Sequence, residues 1–429
     1  VVVDPRRDAG IYAEAARQAG VSIVAAIETH IHADFVSGAH ELAAREILVR
    51  CGPGSALGFP NREATDNERL VVGDLMLTFL HTPGHTPEHV CLLAELPSQP
   101  RRLLTGDLLF VGAVGRPDLL GERQTRDLAN QLYASLQRVM TFDDDVEVHP
   151  GHGAGSLCGA GIGKEPFSTI GGERRQNPLL QCASREAFVT AVLGDLPETP
   201  AYFKRMKRVN REGPPLLGLF DGQRPLPAIR PTAAAALSAD GALILDLREP
   251  AAFADGHPAG ALNVAFGPKI GYWSAWLLEE GTPIILLAAE QAQANEAATQ
   301  LLRVGLDRIE GWIDGGFAAW SVAGLPVAAF DRVSASELRA RLAARESFTL
   351  LDVRSAKEWS YDHIPGSVNV PLGELSERLE ELPRDARVAT ICEAGYRSSL
   401  AASLLAREGH PLVVNVAGGM AAYREQEIA

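Results

Sequence analysis

The chain has 429 residues, 46% of them hydrophobic, and a formal net charge of −14. At ~150 residues per domain that length allows about two to four domains. The acidic balance speaks against nucleic acid or an anionic membrane surface as a partner, since both need a basic face. The five cysteines, Cys51, Cys91, Cys158, Cys182 and Cys392, are odd in number and widely spread, with no Cys-x-x-Cys. That suits a reducing cytoplasm better than a disulfide framework. No apolar run nears the ~20 residues needed to span a bilayer, and no signal peptide is visible, so a cytoplasmic location is expected.

Val1-Val2-Val3-Asp4-Pro5 reads like a strand already under way, and the natural start, with the opening strands of the first domain, is expected to be missing. Ile11 to Ala19 predicts a short helix, Val21 to Ile27 a buried strand and Gly38 to Arg45 a second helix. Between them stands Glu28-Thr29-His30-Ile31-His32-Ala33-Asp34-Phe35, where two histidines two residues apart can aim at one metal. Leu70 to Leu80 carries Gly73-Asp74 between apolar runs, a hairpin signal. His81-Thr82-Pro83-Gly84-His85-Thr86-Pro87-Glu88-His89 is a tight turn that holds His85 rigidly. Leu103 to Asp107 predicts a strand ending in a carboxylate, and Val146 to Gly153 a strand ending in His152.

Taken singly, each of these side chains has a plain reading as a loop histidine or a capping aspartate. That reading is kept for His40, His81, His89 and His149. Together and in this order, His30, His85, Asp107 and His152 point to a shared metal site.

This stretch resembles the metallo-β-lactamase superfamily, whose motif runs His-x-His-x-Asp-His, then His, Asp and His. Within it the chain is similar to the persulfide dioxygenases, through Thr-His-x-His-Ala-Asp, His-Thr-Pro-Gly-His-Thr-Pro, Gly106-Asp107 and Gly115-Arg116-Pro117-Asp118. The sixth motif position is Phe35. Phenylalanine cannot ligate, so a second zinc would rest on Asp34, Asp107 and His152 alone, and a single metal is expected. The resemblance implies one Fe(II) per chain on His30, His85 and Asp107, with zinc as the alternative. Two histidines and one carboxylate leave positions open for substrate and oxygen. His32, Asp34 and His152 then support the ligands or add to them, and whether His32 ligates stays open.

Cys158, in a glycine-dense loop, is either a packed thiol or a thiol that handles persulfide sulfur beside the metal. Arg116 is either an anchor for a carboxylate of the thiol carrier or an ion pair with Asp118. Phe188 to Val209 predicts helix broken at Leu196-Pro197-Glu198-Thr199-Pro200. Its Lys204, Arg205, Lys207 and Arg208 read as a solvated face. Gly213-Pro214-Pro215 and Pro225 to Pro231 read as linker.

From 231 onward the chain repeats itself. Asp246-Leu247-Arg248, His257, Gly260 and Asn263-Val264 match Asp352-Val353-Arg354, His363, Gly366 and Asn369-Val370 at identical intervals. The period is that of a domain of ~100 residues, and strands alternate with helices, which predicts a parallel sheet in each copy. In the second copy Cys392-Glu393-Ala394-Gly395-Tyr396-Arg397 follows a strand and opens a helix. Backbone N–H groups and the helix terminus there favour a nucleophilic thiolate at Cys392, with Gly395 in the cradle and Arg397 adding positive charge. This resembles the rhodanese family loop Cys-x-x-Gly-x-Arg. In the first copy Ala288 stands opposite Cys392, so that copy is expected to be inactive.

The expected fold is α/β: a metallo-β-lactamase αββα sandwich over 1–225, then two α/β rhodanese domains with parallel sheets, one inactive (226–330) and one active (331–429). The order resembles bacterial persulfide dioxygenase–rhodanese fusions. That implies a low-molecular-weight thiol persulfide (of glutathione, coenzyme A or similar), O2 and sulfite as small-molecule partners, and a role in sulfide detoxification. A homo-oligomer is expected. The rivals are a zinc thioester hydrolase of the glyoxalase II kind fused to a sulfurtransferase, and a persulfide carrier or sensor.

Overall fold

The structure is a computed structural model describing residues 1–194, 196, 198–410 and 412–428. Pro197, within the break expected between the two late helices of the first domain, lies outside the described residues. The chain forms two compact units, Val1–Gln223 and Arg224–Ala429.

The first unit holds two large sheets and a short two-stranded one, Leu109–Phe110 with Ala113–Val114. One large sheet is parallel, in the order Val2–Val3, Ala25–Ile27, Leu48–Cys51, Arg62–Glu63. The other is mixed, in the order Ser168–Thr169, Glu147–Pro150, Arg102–Gly106, Val90–Glu95, Leu75–His81, Arg69–Val72. Alternation along the strands builds the layers. Leu77, Phe79, Val90 and Leu92 point inward to meet Ile27 and Ala64 between the sheets. Leu80, Cys91 and Leu93 point outward, under Ala129, Leu132 and Leu136 of the helix Glu122–Val139 and Phe188 of the helix Arg185–Gly194. On the far side Ala26 and Val49 pack against Ala9, Ala39 and Leu42. The result is the expected αββα sandwich.

The strand expected from Val21 begins only at Ala25. Gly20 closes the preceding helix in a left-handed conformation, and Val21 and Val24 stay exposed with no neighbouring strand to cover them. The Gly73-Asp74 hairpin forms, with Val72 opposite Leu75.

The second unit holds two five-stranded parallel sheets. The strands Ala228–Ile229, Ile309–Ile313, Ile284–Leu287, Leu243–Asp246 and Leu262–Asn263 lie side by side in that order. Asp331–Val333, Val413–Val416, Val388–Ile391, Thr349–Asp352 and Val368–Asn369 repeat the order strand for strand. The shared sequence signatures are scaffold. Asp246 binds Arg248 at 2.6 Å and Asp352 binds Arg354 at 2.7 Å. Asn263 and Asn369 each donate to the carbonyl of the matching aspartate, at 3.0 and 2.9 Å. This is why a copy without the cysteine still carries them. The copies also touch: Ser399 Oγ donates to Asn263 Oδ1 at 2.7 Å, and the Asn263 N–H donates to Ser403 Oγ at 3.1 Å. Among the described residues no helix is long and apolar enough to cross a membrane.

Candidate metal centre and thiol loop

Three strands of the mixed sheet end on one edge. His85 sits in the turn after Leu75–His81, Asp107 directly follows Arg102–Gly106, and His152 follows Glu147–Pro150. His30 comes from the end of Ala25–Ile27 in the other sheet. Gly106 makes the approach possible. Its φ is +46°, and a Cβ there would lie 2.7 Å from His89 Nε2 and 2.8 Å from Thr29 Oγ1.

The ligand atoms of His30, His85 and Asp107 all lie within 4.8 Å of one another, and all three residues are buried. Asp107 Oδ2 is 3.8 Å from His30 Nε2 and 3.5 Å from both His85 Nε2 and His152 Nε2. The outer nitrogens are engaged. His85 Nδ1 donates to the Arg116 carbonyl at 2.9 Å. His30 Nδ1 lies 2.9 Å from Thr29 Oγ1, whose hydroxyl donates to Asp4 at 2.8 Å. That assigns the proton of each ring to Nδ1 and leaves the Nε2 lone pair facing inward. Burial holds both imidazoles well below their ordinary range, hence neutral, and pushes the Asp107 carboxyl up to about 6. His30 Nε2, His85 Nε2 and both Asp107 oxygens are buried without a hydrogen-bond partner. Orphaned acceptors on three residues, gathered within 4.8 Å of one another, fit a bound cation.

His32 faces elsewhere. Its Nε2 is 3.1 Å from Asp4 Oδ1 and 3.6 Å from Glu28 Oε2. Burial alone would lower its pKa, but Asp4, then Glu28 and Asp34, carry it up to about 10. With Asp4 and Glu28, His32 forms a group of its own, separate from His30, His85 and Asp107, and the ligand atoms of this group also lie within 4.8 Å of one another. Asp34, His152 and Cys158 gather within 4.8 Å as a separate group beside Asp107. Cys158 lies beside Asp34 and His152 and packs against Phe110 and Ala113. Burial, reinforced by Asp34 and Asp107, keeps its thiol protonated.

Arg116 is 1% exposed. It forms a two-pronged pair with Asp118 at 2.7 Å and donates to Leu157 O and Thr199 Oγ1. Its guanidinium is a brace between loops, which removes it as a carboxylate anchor.

His40, His81 and His149 make ordinary loop contacts, to Pro214 O, Pro87 O and Glu147. His89 does more: its Nε2 accepts from the Asp107 N–H at 3.1 Å and so fixes the backbone of Asp107. Asp4, Glu28, Lys207 and Asn210 also belong to the surroundings of the site and were not visible as such in the sequence. Asn210 accepts from Ser37 N and donates to the carbonyls of His32 and Phe35. Lys207, on the helix expected to be solvated, is buried.

In the second unit Cys392 follows the strand Val388–Ile391 and precedes the helix Tyr396–Arg407. It is 1% exposed. The Gly395 N–H donates to its Sγ at 3.1 Å, and Sγ lies 3.5 Å from Ser398 Oγ. Arg397 is gripped by Glu358 through two bonds of 2.6 and 2.7 Å. Register supports the inactive assignment of the first copy. Asp246 pairs with Leu287 as Asp352 pairs with Ile391, so Ala288 takes the place of Cys392.

The Metallo-beta-lactamase superfamily description matches residues 1–152. A crystal structure of a metallo-beta-lactamase from Staphylococcus aureus is 30% identical, covers 72% of this chain and 90% of that one, and superposes with a TM-score of 0.63. The chain belongs to the metallo-β-lactamase superfamily. Behind its metallo-β-lactamase domain come tandem rhodanese domains, with the Rhodanese-like domain description matching 230–323 and 334–426. A hydroxyacylglutathione hydrolase from Francisella philomiragia is 30% identical over 154 residues, 35% of this chain and 58% of the relative. A crystal structure of ETHE1 from Myxococcus xanthus is 28% identical, covers 49% of this chain and 86% of that one, and has a TM-score of 0.42. The chain spans about half the length of the curated relatives it matches.

Proposed function

We propose that the chain is a non-haem iron persulfide dioxygenase coupled to a thiosulfate-forming sulfurtransferase. The observation that carries this reading is the donor set itself: two neutral imidazoles and one carboxylate with orphaned, inward atoms, and phenylalanine where the superfamily motif has another histidine. His30, His85 and Asp107 would hold the metal, and iron(II) bound there would offer open positions for persulfide and O2 and pass electrons from sulfur to oxygen.

The overall first reaction is RSSH + O2 + H2O → RSH + sulfite + 2 H⁺. Thr29, Asp4 and the Arg116 carbonyl keep the two rings in the tautomer that offers Nε2. In the second unit the Cys392 thiolate attacks the outer sulfur of another persulfide. The S–S bond between the inner and outer sulfurs breaks, RSH leaves with the proton, and a cysteine persulfide forms. Sulfite then takes the outer sulfur as thiosulfate and the Cys392 thiolate returns. The Gly395 N–H stabilises charge on Sγ through both steps.

A second reading, a zinc thioester hydrolase, is favoured by the Asp34–His152–Cys158 group beside Asp107 and by the Francisella hydrolase. Metal analysis followed by oxygen uptake separates the two. One iron per chain and oxygen consumption with glutathione persulfide are expected. Two zinc ions per chain, and no uptake by the iron-loaded protein with any low-molecular-weight persulfide, would sink the dioxygenase reading.

A further inference from the structure

Lys207 lies on the helix Tyr202–Glu212 and is 8% exposed. Its ammonium donates to the Leu119 carbonyl at 3.4 Å, a long bond for a charged donor. Among the described residues no carboxylate oxygen lies within 4.0 Å of it. The acids nearest in effect, Glu88 and Asp118, are already engaged. Glu88 accepts from the Ile31 N–H at 2.9 Å, and Asp118 holds Arg116. Burial pulls the ammonium's pKa down to about 8, at which it stays largely charged at neutral pH. A buried charge with one weak partner is costly unless an anion completes it.

Its location says which anion. The loop that gives Lys207 the Leu119 carbonyl also gives His85 the Arg116 carbonyl. One turn further along the same helix face, Asn210 holds the carbonyls of His32 and Phe35. The helix therefore ties down the loop that carries His32 and the loop whose Arg116 carbonyl fixes His85.

We propose that Lys207 anchors the anionic end, a carboxylate or phosphate, of the thiol carrier whose sulfur end lies over His30, His85 and Asp107. This rests on the reading that the pocket takes a thiol-bearing small molecule, and it gives Lys207 the role that Arg116, already paired with Asp118, does not fill.

Calorimetric titration of the full chain with glutathione, glutathione diethyl ester, coenzyme A and cysteamine tests it without turnover. Glutathione or coenzyme A is expected to bind wild type at least ~10-fold more tightly than the ester or cysteamine. Lys207→Met should erase that preference and leave the ester and cysteamine unchanged, and Lys207→Arg should keep it. The thiol that loses affinity identifies the source of the anion, carboxylate for glutathione or phosphate for coenzyme A. Wild type that does not prefer the anionic thiols, or a Lys207→Met protein that is thermally intact yet loses all four ligands equally, would overturn the anchor. A chain that shows the preference but takes up no oxygen with persulfides would overturn the dioxygenase reading alone.

Discussion

Asp107 is the residue on which the centre turns. Its carboxylate lies within 3.8 Å of His30, His85 and His152, and its N–H is fixed by His89. Asp107→Asn keeps the shape and removes the charge, and it should lower bound metal from about one per chain to near zero, as read by elemental analysis. Phe35 is the complementary case. Its ring packs 4.4 Å from that of His32, where a histidine would offer a further ligand. Phe35→His is expected to raise the metal content toward about two per chain, and unchanged stoichiometry would argue that this position does not control it. In the second unit Glu358 ties Arg397 to the helix Ala356–Tyr361, which it also caps through Ser355. Burial would raise the Glu358 pKa, but Arg397 outweighs it and brings the group from 4.5 to about 2. A depressed carboxyl adds stability above its unfolded pKa and loses it as the pH falls through the folded one. The melting-temperature gap between wild type and Glu358→Gln should therefore be full above about pH 4.5 and shrink toward about pH 2.

At the scale of elements, the helix Glu122–Val139 works as a buttress for the turn that carries His85. Gly84 has a φ of +149°, and a Cβ on it would lie 2.3 Å from the Leu132 backbone. Ser135 Oγ donates to the Pro83 carbonyl at 2.6 Å. Leu132 is fully buried. Leu132→Ala should cost ~2–5 kcal/mol by denaturant titration. Because the cavity opens under the turn, it should also weaken metal retention, whereas a comparable cavity at Leu338 in the second unit should not. The repeat was legible as sequence because Asp, Arg and Asn at fixed intervals are its scaffold. The basic helix was misread because a run of Lys and Arg carries no sign of which side chain turns inward. Lys207 is buried and Arg208 remains exposed, and only packing against the loops around Glu88 and Leu119 separates them.

At the scale of the whole molecule, two chemistries occupy separate units, and each has its own donor set. Cys392→Ser should abolish sulfur transfer to sulfite while leaving oxygen uptake within about twofold. Loss of both activities would favour a carrier in which all sulfur passes through Cys392. On the proposed reading, housing both on one chain would raise the effective concentration of sulfite near its acceptor.

Periodicity, motif spacing and the internal repeat were enough to read the order of domains, the three side chains that gather at the candidate metal centre and the cysteine between strand and helix. Such signals are local, and strand ends followed by His, Asp or Cys announce themselves in a few residues. The inward turn of Lys207, the brace made by Arg116 and the caging of His32 by Asp4 and Glu28 could not be read that way. Each depends on which distant carbonyl or carboxylate lies opposite a side chain, and that pairing exists only once the sheets, helices and loops have packed.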